Sequence, residues 1–349
     1  MVAQQSSSKR IAVVSLGGTI TMTEQAGGGV VPSLTSKDLL AGLQPAVSGL
    51  EIEPITLRKM AGAHLRPQDL VELAHHIDRL AANGYAGVVV TQGTDTIEET
   101  AFVLDVIATR SMPIVVTGAM RHADAPGADG PANLRDAIAV AASGDATRAG
   151  VTVALDGQIH AARFVHKAGT SNVGAFRSTP TGPIGWVSEG IATFALCPAA
   201  GLARIPVAQL GPLPNVTALK ASMGEEGDLA ESAVERGCAG LVVEGMGAGH
   251  VPPAFADRLE LIATQIPVVL STRVAGGEVL RRTYGFVGSE MDLLRRGIIL
   301  GGWLQTAKTR LLLMLLLAAG HDRTGIATCF QAYGGLANLI AHQDHQGDQ

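Results

Sequence analysis

The stretch YAGVVVTQGTDTIEETAFVLDVIA, residues 85–108, decides the fold class. Tyr85 to Val90 form a continuous apolar run without alternation, which suits a strand covered on both faces. Further on, Ile97, Ala101, Leu104 and Ala108 fall on one helical stripe. Thr96 with Glu99 three residues later is a capping-box pattern that predicts the start of that helix. Upstream, the breaker Asn83-Gly84 follows an amphipathic segment from Asp69 to Leu80, with Leu70, Leu73, Ile77 and Leu80 on one side. Before that come RIAVVSLGG (10–18), a strand ended by two glycines, and a candidate helix from Ser36 to Leu43. Downstream, MPIVVTGA (112–119) reads as a strand, GPANLRDAIAVAAS (130–143) as a helix and GVTVAL (150–155) as a strand. Strands alternating with helices of this length predict an α/β fold whose mostly parallel sheet has flanking helices.

The texture changes near residue 196. From Cys197 to Pro214 the chain has four prolines and two glycines among short apolar pieces, the composition of a linker. Alternation then resumes with VTALKAS (216–222), a helix over 228–236, AGLVVEG (239–245), a helix over 253–263, IPVVLST (266–272) and a leucine-rich helix after Trp303. The expected organisation is a disordered tail over 1–9, a larger N-terminal domain over 10–196, a linker over 197–213 and a smaller C-terminal α/β domain over 214–349. Its end is expected to be loose after about residue 340.

Composition narrows the function classes. The chain has 349 residues, 47% of them hydrophobic and 16% charged, which excludes intrinsic disorder and a coiled coil for its bulk. A net charge of −5 without a basic run argues against a nucleic-acid partner. Cys197, Cys238 and Cys329 are odd in number and lack a C-x-x-C pair, so they form no disulfide framework and favour a reducing compartment. The apolar run Ile11 to Leu16 is too short for a signal-peptide core, and Leu311 to Ala319 is too short to span a bilayer. The expectation is a cytoplasmic protein with no membrane association.

In such a fold, reactive groups gather at the carboxyl ends of parallel strands. Gly17-Gly18-Thr19 ends the first strand, and its glycines allow a tight turn with an exposed hydroxyl. Thr94 and Asp95 lie beside backbone N–H groups at a helix start, a place suited to an anion or a developing oxyanion. FVHKAGTSNVGAF (164–176) contributes Lys167. Taken singly, these are a turn residue, a cap and a solvated lysine. Jointly they meet a chemical need, because a threonine hydroxyl is a weak nucleophile until some group removes its proton, and a lysine beside a carboxylate supplies one. There is no G-x-G-x-x-G, phosphate loop or H-E-x-x-H motif. His75-His76 falls inside a helix facing solvent, Met60, Met112, Met120 and Met223 fall at no ligand spacing, and His342, Asp344 and His345 are metal-like only in composition.

GGTIT (17–21), TQGTDTIEETAF (91–102), PIVVTGAMR (113–121), DGPANLRDA (129–137), HKAGTSNVGAFRS (166–178) and YGF (284–286) together resemble the bacterial L-asparaginase family. The resemblance runs from about Arg10 to about residue 318, and the order of the motifs makes it specific. It implies a larger N-terminal and a smaller C-terminal α/β domain, and a small-molecule amide substrate. It also implies a homo-oligomer, either a dimer or a tetramer of intimate dimers with each site at a subunit junction. By the same resemblance Thr19 is the nucleophile, and Thr94, Asp95 and Lys167 are a second catalytic group. Asp95 also accepts the substrate's amino group, and Ala119 brings backbone close to the amide. An acyl-threonine ester is then hydrolysed by water, with no metal or organic cofactor.

The departures are as informative. MTEQAGGGVVPSL (22–34) has no tyrosine where the family has one, and Glu24 stands near that position. KMAGAHLRPQD (59–69) offers Gly62, Ala63 and His64 in place of the serine that holds the substrate carboxylate. Ala248 in GMGAGH (245–250) replaces an asparagine, and Glu278 stands near a glutamate that meets the amino group. The hydrolytic groups match while the amino-acid-reading groups do not. L-asparagine is thus the leading substrate, with a short-chain amide or diamide lacking the amino-acid head group as the alternative. An inactive binding protein and a subunit of a tRNA-dependent amidotransferase are the readings from other classes.

Overall fold

A computed structural model describes residues 8–41, 43, 49–198 and 204–335. The expected N-terminal and C-terminal tails and the trio His342, Asp344 and His345 lie mainly or wholly outside the described residues. The chain divides into two compact units between Val207 and Ala208. Ile205 N–H donates to Val106 O at 2.9 Å and Arg204 pairs with Asp78 at 3.5 Å, so this part of the proline-rich stretch packs with the first unit.

In the first unit, β1 (Lys9–Gly17) leads into a hairpin of β2 (Met22–Glu24) and β3 (Val30–Pro32), then α1 (Ser36–Ala41), β4 (Leu50–Met60) and α2 (Pro67–Ala82). Next come β5 (Gly87–Thr91), α3 (Ile97–Ile107), β6 (Ile114–Thr117), α4 (Gly130–Ala142), β7 (Thr152–Leu155) and β8 (Gln158–Ala161). A hairpin of β9 (Val165–Lys167) and β10 (Phe176–Ser178) precedes β11 (Gly185–Ser188) and β12 (Ile191–Phe194). Eight strands form one sheet in the order β12-β11-β8-β7-β6-β5-β1-β4. Pairing is parallel from β4 to β7 and antiparallel from β7 to β12.

Burial explains the apolar runs. Ile11, Val13, Val89 and Val115 join Leu134, Ala137 and Ile138 in a core under α4. Ala12, Val14, Val88, Val90 and Val116 are equally buried and alternate to the other face, where α3 packs on β6 and α2 on α3. β4 was not anticipated. It pairs on one side only, with β1, and as an edge strand it accommodates Pro54 and alternates exposed with half-buried residues.

The second unit builds its sheet from β13 (Val216–Lys220), β14 (Gly240–Gly245), β15 (Val268–Thr272) and β16 (Ile299–Leu300), all parallel and in that order. Its helices are α5 (Asp228–Glu235), α6 (Pro253–Ala263), α7 (Glu290–Arg295), α8 (Thr306–Ala318) and α9 (Arg323–Tyr333). Leu311 to Leu316 on α8 are all buried, which accounts for its uniform hydrophobicity. No helix among the described residues is long and apolar enough to cross a membrane.

Candidate active site

Turns at the carboxyl ends of β1, β4 and β5 meet backbone to backbone, and glycine is what lets them. Gly17 and Gly18 have φ of 108° and 82°, a region that strains residues with a side chain. A Cβ on Gly18 would lie 1.9 Å from Gly93 N, and one on Gly93 would lie 2.6 Å from Gly62 N. Gly18 N–H donates to Met60 O at 2.9 Å. The turn that carries Thr19 is therefore in contact, through Gly18, with the turn that precedes Thr94. Thr21 locks it from the other side, its hydroxyl donating to Gly18 O at 2.8 Å. Thr19 itself is half-buried.

Thr94 is 5% exposed. Lys167, at the end of β9, extends its Nζ to 2.9 Å from Thr94 Oγ1 and 2.7 Å from Asp95 Oδ1. The lysine side chain is 18% exposed and that of Asp95 63%, so one end of the pair is dry and the other wet. An ion pair this open to solvent adds little stability; its effect is to aim the amine at the threonine hydroxyl.

The lysine is held from behind by residues that were not singled out from sequence. Lys167 N–H donates to Glu98 Oε2 at 2.6 Å, across 69 positions of chain. Ser178 on the partner strand β10 sits 2.9 Å from His160 Nδ1 on β8. Burial, with help from Arg177 and His166, lowers the His160 pKa to about 4. The turn after β6 is fixed in a similar way. Asp129 accepts from Met120 N–H and Arg121 N–H, both at 2.9 Å, and Asn133 Nδ2 donates to Gly118 O at 3.0 Å. Ala119, between them, is fully buried. Glu98 and Asn133 fall within stretches already quoted for their pattern, and that placement was the available signal.

The remaining candidates are placed as follows. Gly62 is buried while Ala63 and His64 are exposed. A Cβ on Gly62 would stand 3.0 Å from Gly93 O, so a larger residue there requires the backbone to yield. Glu24 is exposed at the end of β2; its N–H donates to Asp124 Oδ2 at 3.0 Å and its carboxylate lies 4.0 Å from His122 Nε2. Ala248 and Glu278 belong to the second unit, where Ala248 O accepts from Leu280 N–H at 3.1 Å and Glu278 is exposed. The capping box expected at α3 is not formed as expected, because the Thr96 hydroxyl makes no cap bond to the helix and is engaged elsewhere. Among the described residues no group of three His, Cys, Asp or Glu side chains is arranged to hold a metal.

Comparison with known proteins shows the family of the chain. The model described as "Asparaginase, N-terminal" matches residues 10–197, and that of the "Glutaminase/Asparaginase C-terminal domain" matches residues 215–330. An L-asparaginase of Bacillus licheniformis is 34% identical, over 92% of this chain and 99% of that protein. A protein named "Probable L-asparaginase" from Deinococcus radiodurans is 37% identical, over 92% and 97% of the two chains. The crystal structure titled "Probable Cytoplasmic L-asparaginase" from Campylobacter jejuni superposes with a TM-score of 0.83 at 32% identity, covering 92% of this chain and 99% of that one.

Proposed function

Since the chain belongs to the asparaginase and glutaminase family of amidohydrolases, we propose that it cleaves a small primary amide to acid and ammonia through an ester on Thr19, with L-asparagine the leading substrate. The observation that carries this reading is the contact of Lys167 Nζ with both Thr94 Oγ1 and Asp95 Oδ1, at 2.9 and 2.7 Å, beside the glycine contact that joins the Thr19 turn to theirs. In the proposed course the Thr19 hydroxyl attacks the amide carbon, its proton leaves with ammonia, and water then attacks the ester carbonyl to release the acid. Lys167, acting as the neutral amine, takes the proton of Thr94 as Thr94 takes that of the attacking group, first the Thr19 hydroxyl and then water. The proton is returned to the departing ammonia in the first step and to Thr19 in the second. Asp95 orients the lysine and receives the substrate's amino group. Backbone at Ala119 lines the amide. The chemistry needs neither metal nor organic cofactor.

Thr19→Ala tests the nucleophile. Ammonia release should fall at least about a thousand-fold, the usual scale for losing an attacking group, while the melting temperature holds. A purified variant keeping more than a few per cent of the activity would remove Thr19 from this role.

One observation favours the carboxylate-free amide or diamide as a second reading. The turn at Gly62 lies so close to Gly93 that the absent serine has little room to be replaced there, which leaves the exposed Ala63 and His64, with backbone N–H groups, to meet an α-carboxylate. Ala63→Ser should raise the preference for asparagine over small diamides by about tenfold, the worth of one hydrogen bond to a charge, and leave the preference over succinamic acid, which keeps the carboxylate, unchanged. A wild-type preference for asparagine above about 1,000-fold at every pH from 6 to 9 would instead show that other groups already read the carboxylate.

We further propose that the active form is at least a dimer, in which second-unit loops bearing Ala248 and Glu278 complete a neighbouring subunit's site, and that the enzyme works in the cytoplasm. A fully active species with the single-chain mass of 35.8 kDa in light scattering would refute the assembly.

A further inference from the structure

Thr96 stands at the N-cap of α3, yet its hydroxyl accepts no helix N–H. Threonine in that seat ordinarily stabilises a helix by doing so. Here Thr96 Oγ1 donates to Gly62 O at 3.1 Å and accepts from Gln92 Nε2 at 3.2 Å. Gln92 is fully buried, and the same Nε2 lies 3.3 Å from Gly93 O. Its Oε1 is buried without a donor among the described residues, an unusual state for a side chain retained only for stability. A cap has been given up, and an amide buried, to join the turns after β4 and β5.

The glycine contacts explain what such a link does. Gly62 and Gly93 touch through backbone packing alone, and such contacts resist closer approach but not sliding. A hydrogen bond is directional, so two in series fix the slide. We infer that Gln92 and Thr96 form a positioning relay for amide hydrolysis, which sets the register of the Gly62–His64 turn against the turn that carries Thr94 and Asp95. This rests on the functional reading above. Neither residue touches the reacting atoms; both act through the turns they join.

Thr96→Val keeps the shape and removes the relay's middle atom, while Gln92→Met keeps length and removes its source. Each should lower kcat about tenfold, because small misplacement of reacting groups is costly, with KM held within about threefold and the melting temperature lowered by no more than a few degrees. Thr96→Ser should restore kcat to within about twofold of wild type. The double variant should be no slower than the slower single one, since both break one path. Hydrogen exchange over residues 61–65 should quicken in Thr96→Val while the sheet strands stay protected. Losses that multiply in the double variant, a melting temperature that falls in step with kcat, or unchanged exchange over 61–65 would overturn the relay. A wild-type protein that releases no ammonia from any amide would defeat the functional reading alone, and the exchange measurement would still decide the relay.

Discussion

The two units solve the same problem, the polar turns at the carboxyl ends of a parallel sheet, in opposite ways. In the second unit the turns after β14 and β15 are satisfied by one another around a buried carboxylate. Glu290, fully buried, accepts from Thr283 N–H and Tyr284 N–H at 2.9 and 2.8 Å and from His250 Nε2 at 3.2 Å, while the His250 ring meets Tyr284 edge-on at 4.9 Å. In the first unit the polar side chains reach out of their own turns. Lys167 spans 73 positions to Thr94, and the Asp95 carboxylate it pairs with stands largely in water. A carboxylate used to close a loop is buried and saturated, whereas one that must meet a substrate keeps an open side.

The comparison breaks most visibly at Lys167. Lys167→Met should cut ammonia release at least about a thousand-fold, as removal of an activating base does, with the melting temperature within a few degrees; a variant with near-normal activity would mean that the Lys167–Thr94 contact is not part of the chemistry. Glu290→Ala should show the reverse emphasis, a loss of about 3 kcal/mol in unfolding free energy as buried N–H donors lose their acceptor. Burial alone would raise the Glu290 pKa, but the backbone N–H bonds outweigh it and the pKa is lowered. Its contribution is therefore present above the ordinary carboxylate range and is lost as pH falls through the lowered folded value. Denaturant unfolding at pH 7 measures it, and an unchanged midpoint would contradict the closed-loop role.

The smallest effect belongs to His160. With its pKa at about 4 in the folded chain against an ordinary 6.5, the unfolded state takes up the proton first. The stability is present above about pH 6.5 and falls as pH drops from there toward 4. By pH 5 the loss should be about 1–2 kcal/mol, and His160→Gln should flatten that part of the curve. Since Ser178 ties His160 to the hairpin of Lys167, the same acidification should loosen this hairpin first. A slope identical in wild type and variant would remove His160 from the account.

What the sequence disclosed follows from burial. Strands β1, β5, β6 and β7 are covered on both faces, so their apolar runs are uninterrupted and easily read. β4 is half-covered at an edge, and β8 to β12 are short antiparallel pieces whose pairing depends on distant partners, so neither produces a pattern that local reading can use. The site shows the same limit. Thr19, Thr94 and Lys167 stood out because each is a reactive type at a strand end, but no spacing shows that Glu98 holds the Lys167 backbone or that the Thr96 hydroxyl turns away from its helix. Capping propensity describes the choice a residue makes alone, and here a carbonyl from another turn, at Gly62, won the hydroxyl.

The three-glycine junction also limits how this protein can be changed. Residues 18, 62 and 93 are far apart in sequence yet behave as one part, so a substitution library spread over all three would mostly return chains with the turns pushed apart. Because each position leans on the backbone of another, no single replacement has a compensating partner nearby, and stepwise adaptation through them is blocked. The tip of the hairpin is the opposite kind of place, with nothing within 4 Å of a Cβ at Gly27, Gly28 or Gly29. Variation in length and composition should accumulate there, while the junction stays fixed.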